Sequence, residues 1–455
     1  MKNYDAIIIG SGQAGTPLTF TLASKKQKVL LIEMKELGGT CLNVGCTPTK
    51  TYVASARRMW DLQHASEMGV DLEGSFKANL AAIKKRKDAL LSKSLKGLHD
   101  AINNSEYIDY VSGRASFISD KVIKVNEEEY TAAQIFINVG GRAFVPKEYN
   151  NIPYLTNENI LDITTLPEHL IVIGGSYIGL EFGQMFKRFG SRVTIIERGE
   201  KLISREDNEI SESILEFMQK EGVEFVFNAK TIEPSVENNE VVILVNNEIK
   251  ITGTNVLLAI GRAANTDTLA LKNTSIKVTE RGFIEVDDFC KTSVEGVFAM
   301  GDCNGRGAFT HTAYNDFQIV ESYLFGNKNR KISDRIMTYG LFVDPPLGRV
   351  GLTKGEALAK GYKVLEGKRP MSKISRAKEK GETSGFMSVL VDAETELILG
   401  ACVLGVGGDE IITSVLNVMI SKQSYKLIKD SVVLHPTVSE LIPTTLEDLI
   451  QINKS

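Results

Sequence analysis

Two cysteines separated by four residues, Cys41 and Cys46, are the side chains in this sequence best placed to do chemistry. They lie in the run Gly38-Gly39-Thr40-Cys41-Leu42-Asn43-Val44-Gly45-Cys46-Thr47-Pro48-Thr49-Lys50. Pro48 suits the first turn of a helix, which puts Cys46 at a helix N-terminus, where the dipole stabilises a thiolate. The spacing lets the chain loop back so that the two sulfurs can join. Zinc is the competing chemistry, but a zinc site needs a second ligand pair. His64 and His99 are isolated, and Cys290 and Cys303 lack short Cys/His spacing, so no metal site is expected. Cys303 and Cys402 read as small buried residues.

An internal repeat supplies the elements that position this pair. Asp5 to Ile9 reads as a buried strand, followed by the turn Gly10-Ser11-Gly12-Gln13-Ala14-Gly15, a helix through Ala23 and a strand from Val29 to Ile32. The plan recurs from Leu170 to Ile173, through Gly174-Gly175-Ser176-Tyr177-Ile178-Gly179 and a helix, to a strand from Arg192 to Ile196. Each copy ends on an acid at the same spacing, Gly10 to Glu33 and Gly174 to Glu197. A dinucleotide site needs this arrangement. Glycines permit the tight turn and the close approach of backbone to pyrophosphate, the pyrophosphate sits on the helix N-terminus, and the acid accepts from ribose hydroxyls. In the second copy Ser176 stands where the middle glycine belongs.

Between the repeats, residues 76–103 read as a long amphipathic helix whose Lys84-Lys85-Arg86-Lys87 run is expected to be a solvated face. Strands are expected at Tyr107 to Phe117, Val122 to Val125 and Ile135 to Val139, ending at Gly140-Gly141-Arg142. Val256 to Ile260 ends at Gly261-Arg262, and Gly296 to Met300 leads to Gly301-Asp302. These glycine-terminated strands mark crossings between two nucleotide domains. The expected division is 1–145 with 262–330, 146–261, and a third domain over 331–455. The chain length of 455 residues agrees with about three domains of ~150 residues.

The composition, 43% hydrophobic and 24% charged, is globular, and the net charge of −4 gives no basic field for nucleic acid. No apolar run approaches the ~20 residues of a membrane span. The short apolar run after the first residues is no signal peptide, and five cysteines in so long a chain argue against a disulfide framework, so a cytoplasmic setting is expected.

The Gly39-Thr40-Cys41 to Cys46 segment resembles the redox-disulfide signature of the class I flavoprotein (pyridine nucleotide-) disulfide reductases, the family of dihydrolipoyl dehydrogenase, glutathione reductase and mercuric reductase. Gly301-Asp302 is similar to the family's second flavin motif, and His435-Pro436-Thr437-Val438-Ser439-Glu440 to its C-terminal catalytic motif. The resemblance implies an α/β fold of two Rossmann-like domains, for FAD and NAD(P), with a C-terminal α+β dimerisation domain. It implies that Gly10, Gly12, Gly15, Glu33, Gly39, Thr40, Lys50, Ala115, Gly141, Gly301, Asp302 and Thr310 bind FAD. Gly174, Tyr177, Ile178, Gly179, Glu197, Arg198 and Gly261 would bind the nicotinamide dinucleotide, Tyr177 as the ring gating access.

By the same resemblance, Lys50 and Glu181 form an ion pair beside the flavin, Cys46 is the flavin-proximal sulfur, and Cys41 exchanges with substrate. His435 and Glu440 are the acid–base dyad, supplied across a homodimer, so that a monomer has an incomplete site.

Glu197 favours NAD, because a carboxylate accepts from a 2′-hydroxyl and repels a 2′-phosphate. Arg198, Lys201 and Arg205 follow it in the neighbourhood where NADP-dependent relatives place arginines. Pro48-Thr49-Lys50 is closer to the Pro-Ser-Lys of lipoamide and mercuric enzymes than to the Pro-Lys-Lys of glutathione reductases. Arg205-Glu206-Asp207 and Gly301-Asp302-Cys303 resemble the mercuric branch, but no cysteine follows Cys402 and no N-terminal heavy-metal domain is present. The expected activity is dihydrolipoyl dehydrogenase-like. The alternatives are a mercuric-reductase-like enzyme acting on a metal ion, quinone or other small oxidant, and a flavoprotein docked in a lipoyl-bearing multienzyme complex.

Overall fold

The computed structural model describes residues 1–452. Strand β1 (Lys2–Ile9) ends in an aliphatic run in which Ala6, Ile7 and Ile8 are fully buried. A strand reads this way when helices cover both faces of a parallel sheet, and burying each isoleucine contributes about 1.5–3 kcal/mol. The chain turns at Gly10, forms helix α1 (Gly15–Ser24) and returns as β2 (Val29–Glu33), parallel to β1 with Ile7 opposite Leu30.

Helices α2 (Gly39–Asn43), α3 (Cys46–Gln63) and α4 (Leu80–Asn103) come next. Strands β3 (Ile108–Ser112), β4 (Ala115–Ser119), β5 (Val122–Val125) and β6 (Glu128–Ile137) complete the run. The first sheet has the order β3-β2-β1-β6-β5-β4, and Val297–Ala299 adds a parallel strand on β6. β1 lies parallel between β2 and β6, so the glycine turn opens at the carboxyl end of the sheet, where the strand order reverses. That is where α/β sheets bind ligands.

The second copy builds a parallel sheet from Glu224–Val226, Arg192–Ile196, His169–Ile173 and Asn255–Leu258, with α5 (Tyr177–Phe189) after its glycine turn. An antiparallel three-stranded sheet over residues 232–253 packs beside it. The two crossings between these units pair with one another, Gly141–Ala143 against Arg262–Ala264. The C-terminal unit is a six-stranded antiparallel sheet whose core is closed by the helix Gly408–Ser421 through Ile412 and Val415. The fold is thus two Rossmann-like units and a C-terminal α+β unit. Among the described residues no helix is long and apolar enough to cross a membrane.

The third glycine of each turn is dictated by contact. A Cβ on Gly15 would sit 2.1 Å from the Gly10 carbonyl oxygen, and one on Gly179 would sit 1.9 Å from that of Gly174. Only a bare Cα lets the helix approach the strand this closely.

Four expectations are corrected. The segment Tyr107 to Phe117 is two strands, because β3 runs parallel to β2 whereas β4 turns back against β5, and the chain reverses at Gly113-Arg114. The strand expected at Ile135 to Val139 is the end of the longer β6, which stops at Ile137. The long helix starts at Leu80 rather than 76, where the Asn79 side chain caps it by accepting from the Ala82 N–H at 3.0 Å. Its basic run is a solvated face only in part, with Lys85 and Arg86 exposed but Lys87 not. Lys87 is buried with Nζ on Asp162 (2.7 Å) and the Leu161 carbonyl, and Arg86 donates to the Thr51 carbonyl of α3 at 2.9 Å.

Candidate active site

Cys41 sits in the short helix α2, and Cys46 is the first residue of α3. Gly45 joins them, and a Cβ there would meet the Thr40 carbonyl oxygen at 2.8 Å, so the link stays tight only with glycine. Both thiols are free, and Cys46 is open to the central cleft. The Cys41 thiol donates to Cys46, which pulls the Cys46 thiol down to about 6 against the cost of its partial burial. The Thr310 hydroxyl, 3.1 Å from Cys46 Sγ, and the Lys50 ammonium lower it further. The same bond, helped by burial, pushes the Cys41 thiol up. One proton is therefore held on Cys41, and the thiolate is Cys46.

Sequence reading gave Thr310 a backbone role; the structure adds its hydroxyl as a donor to the thiolate. We expect Thr310→Val to raise the Cys46 midpoint by about one to two pH units, the worth of one hydrogen bond to a charged acceptor. A titration of thiolate absorbance in the dithiol protein checks this, and an unmoved midpoint removes Thr310 from the site.

Lys50, one turn along α3 from Cys46, pairs with Glu181 of α5 at 2.6 Å, and its Nζ lies 4.3 Å from the centre of the Phe342 ring. The other oxygen of Glu181 accepts from the Phe342 N–H at 2.9 Å, so the pair joins the two nucleotide units to the C-terminal one. A second clamp holds α3 from its far side. Arg57 pairs with Asp344 (2.9 Å), which also pairs with Arg188 of α5 (2.5 Å), itself on Glu221 (2.8 Å). Removing one member of such a buried network strands a charge, at a cost of about 3–5 kcal/mol.

Cys41, Cys46, Thr310, Lys50, Glu181 and Phe342 open onto one cleft of about 1990 Å³, roughly twice the upper end of a single-ligand pocket of ~300–1,000 Å³. Every residue expected to contact FAD or the nicotinamide dinucleotide lines it except Gly15 and Gly179, which lie beneath the turns as packing contacts. In the first half, Glu33 Oε2 accepts the Ser11 N–H and hydroxyl, both at 2.9 Å, and Oε1 accepts the Lys35 N–H. In the second, Glu197 is tied in the same way to the N–H groups of Gly175 and Gly199, both at 2.7 Å. Arg198, Arg205 and Lys230 line the cleft beside Glu197. Lys201 does not; it turns away onto the Glu206 carbonyl and Asn208.

The cleft wall fits FAD. Asp302 faces it with its carboxyl pushed up by burial, and Arg262 Nε, 3.3 Å from Asp302, is buried there without a hydrogen-bond partner. A polar cofactor chain supplies the acceptor this group lacks.

Sequence reading missed Asn138. Its Oδ1 accepts the Gly15 N–H and its amide donates to the Met300 carbonyl, both at 2.9 Å, tying the glycine turn to the Gly301-Asp302 segment. It also missed Asp316, which accepts the Gly301 N–H at 2.8 Å. His435 and Glu440 form their dyad, Nδ1 to Oε2 at 2.9 Å, but neither lines the cleft of its own chain. The imidazole projects outward, 78% exposed, on a carboxylate that is 11% exposed.

The family model described as pyridine nucleotide-disulphide oxidoreductase matches residues 4–316, and that for the family's dimerisation domain matches 337–446. The chain belongs to the pyridine nucleotide-disulphide oxidoreductase family. It is 34% identical to the probable pyridine nucleotide-disulfide oxidoreductase RclA of Escherichia coli (strain K12), over the whole of both chains. It is 32% identical to mercuric reductase of Staphylococcus aureus, over 90% of this chain and 76% of that one. With dihydrolipoyl dehydrogenase of Geobacillus stearothermophilus the identity is 30%, over 96% and 94%. A solved Cu(II) complex of the HOCl-induced flavoprotein disulfide reductase RclA from Escherichia coli superposes with a TM-score of 0.90 at 32% identity, over 98% of this chain and 99% of that one.

Membership of this oxidoreductase family implies FAD and a pyridine nucleotide as cofactors. The dimerisation domain supports a homodimer.

Proposed function

We propose that this chain is an NADH-dependent reductase that delivers electron pairs through Cys46 and Cys41 to a small disulfide, with lipoamide as the first candidate. One observation carries the reading. Cys41 and Cys46 lie together at the cleft, with the Cys46 sulfur 3.1 Å from the Thr310 hydroxyl and the Lys50–Glu181 ion pair one turn along the same helix. FAD held along the cleft wall by the glycine turn, Glu33, Ala115 and Asp302 would supply two-electron transfer from the nicotinamide, by which a Cys41–Cys46 disulfide would be reduced to the dithiol.

The remaining steps belong to the chain's own residues. Cys41 gives its proton to His435 Nε2 and attacks one sulfur of the substrate, forming a mixed disulfide. The expelled sulfur leaves as a thiolate and takes that proton back from His435, because exchange is fastest when the leaving thiolate is neutralised. The Cys46 thiolate then attacks Cys41 Sγ, closing the Cys41–Cys46 bond and releasing the second substrate sulfur as a thiolate, which takes its proton from solvent. Glu440 holds the imidazole by Nδ1 and stabilises its charged form. That this His435 is the partner subunit's is supported by its absence from the cleft of its own chain. NADH is preferred because Glu197 occupies the position that would meet a 2′-phosphate.

A second reading takes a thiophilic metal ion as oxidant, held by the same two sulfurs. The Cu(II) complex of RclA and the similarity to mercuric reductase favour it. Anaerobic turnover of the FAD-loaded protein with NADH or NADPH and lipoamide, beside Cu(II), separates the two. Rapid lipoamide reduction with NADH preferred is the expected result. Flavin reduction by NADH without lipoamide turnover, but with Cu(II) reduction, moves the substrate to the metal.

A further inference from the structure

Three aromatic rings from three segments meet at the nicotinamide side of the cleft. Tyr177 opens α5, Phe309 precedes Thr310, and Tyr339 comes from the first strand of the C-terminal unit, Thr338–Leu341. Phe309 and Tyr339 stack in parallel, with centres 5.8 Å apart and planes at 9°. Tyr177 meets both edge-on, Phe309 at 5.9 Å and 85°, Tyr339 at 5.7 Å and 87°. Such pairs resist sliding because ring edges are positive and faces negative.

Behind Tyr339 lies a buried ion pair that the proposed mechanism does not use. The Tyr339 hydroxyl donates to one oxygen of Glu206, and Arg349 donates to the other and to Asp207 at 3.1 Å. Glu206 is 3% exposed and Arg349 1%. A buried ion pair is a poor source of stability compared with apolar packing, and this one anchors the Tyr339 hydroxyl in one geometry. Here that geometry is the position of the Tyr339 ring, and through it the position of Tyr177.

We infer that Tyr339 is a positioning residue which, held by Glu206 and Arg349, keeps the Tyr177 ring across the path of the nicotinamide and makes the C-terminal unit part of that gate. The inference rests on the reading of Tyr177 as the gating ring.

The test measures iodide quenching of FAD fluorescence in the loaded dimer, together with titration of NAD⁺ binding. Tyr177→Ala sets the open limit. Tyr339→Ala is expected to raise the quenching constant about 2- to 10-fold, the range that one lost aromatic pair allows. Tyr339→Phe, which keeps the ring and loses only the bond to Glu206, falls between wild type and that limit, and NAD⁺ affinity changes in the same order. Acrylamide quenching of Trp60, the single tryptophan, lies on α3 behind the site and stays at the wild-type value, so general loosening is recognised.

Wild-type quenching and NAD⁺ affinity in the Tyr339 variants, with Tyr177→Ala open, overturn the inference and leave the gate reading intact. No response in Tyr177→Ala overturns the gate reading and the inference with it. If Tyr339→Ala does not fold, wild-type quenching in Tyr339→Phe overturns the inference on its own.

Discussion

Cys46→Ser is expected to retain FAD, to lose the long-wavelength absorbance of a thiolate against the flavin, and to lose disulfide turnover by about 10⁴-fold or more, the scale on which removing a nucleophile acts. FAD is expected to stay because the residues proposed to hold it, the glycine turn, Glu33, Ala115 and Asp302, line the cleft wall independently of Cys46. The absorbance goes because Cys46 is the group held as thiolate. In the wild-type dithiol enzyme the band therefore follows the Cys46 midpoint. Its thiol is held down at about 6, so the thiolate is formed above that pH and the band fades as pH falls through about 6.

Cys41→Ser separates the two sulfurs. It leaves the thiolate on Cys46 and replaces the thiol donor with a hydroxyl that can donate in its place, so the band persists. Turnover is lost in this variant too, since no sulfur remains to take up the substrate. A band that survives in Cys46→Ser and vanishes in Cys41→Ser inverts the roles of the two cysteines.

What could be read in advance was what the chain writes locally. The Gly10-to-Glu33 and Gly174-to-Glu197 units are contiguous, so turn, helix and acid announce themselves, and both acids are found latched to backbone N–H groups as their positions imply. Cys46 at a helix start was legible from Pro48, two residues on. Asn138 was not legible, because its task exists only once β6 lies beside β1 and the Val297–Ala299 strand beside β6. The hydroxyl of Thr310 on Cys46 likewise joins residues far apart in sequence.

Charge misled at two lysines whose partners decided the outcome. Lys87 looked solvated until Asp162 arrived to neutralise it in the core, and Lys201 looked like a phosphate ligand until the Glu206 carbonyl claimed it. A sequence shows a charge but not its partner, and burial of a charge depends on the partner.

Pairing across the dimer leads to the second large effect. His435→Ala is expected to slow disulfide turnover by about 10²–10⁴-fold, the contribution of a positioned acid–base group, while NADH reduces the FAD-loaded protein as fast as before. Cys41→Ser is inactive toward disulfides for a different reason. Mixing the two inactive proteins and allowing subunits to exchange creates heterodimers with one intact site, in which the cysteine pair of the His435→Ala chain faces the His435 of the Cys41→Ser chain. Random pairing makes half the dimers mixed, and each carries one of two sites, so activity returns to about a quarter of wild type.

A histidine acting within its own chain allows no such rescue, because every site then lacks either its cysteine or its imidazole. Recovery to about a quarter assigns His435 to the opposite subunit. No recovery, with subunit exchange shown by mass labelling, places it in the same chain and requires the 431–440 segment to reach the cleft it does not line here. Glu440→Gln tests the dyad itself. It keeps a side chain that can accept from Nδ1 but removes the charge, so the loss should be smaller than for His435→Ala.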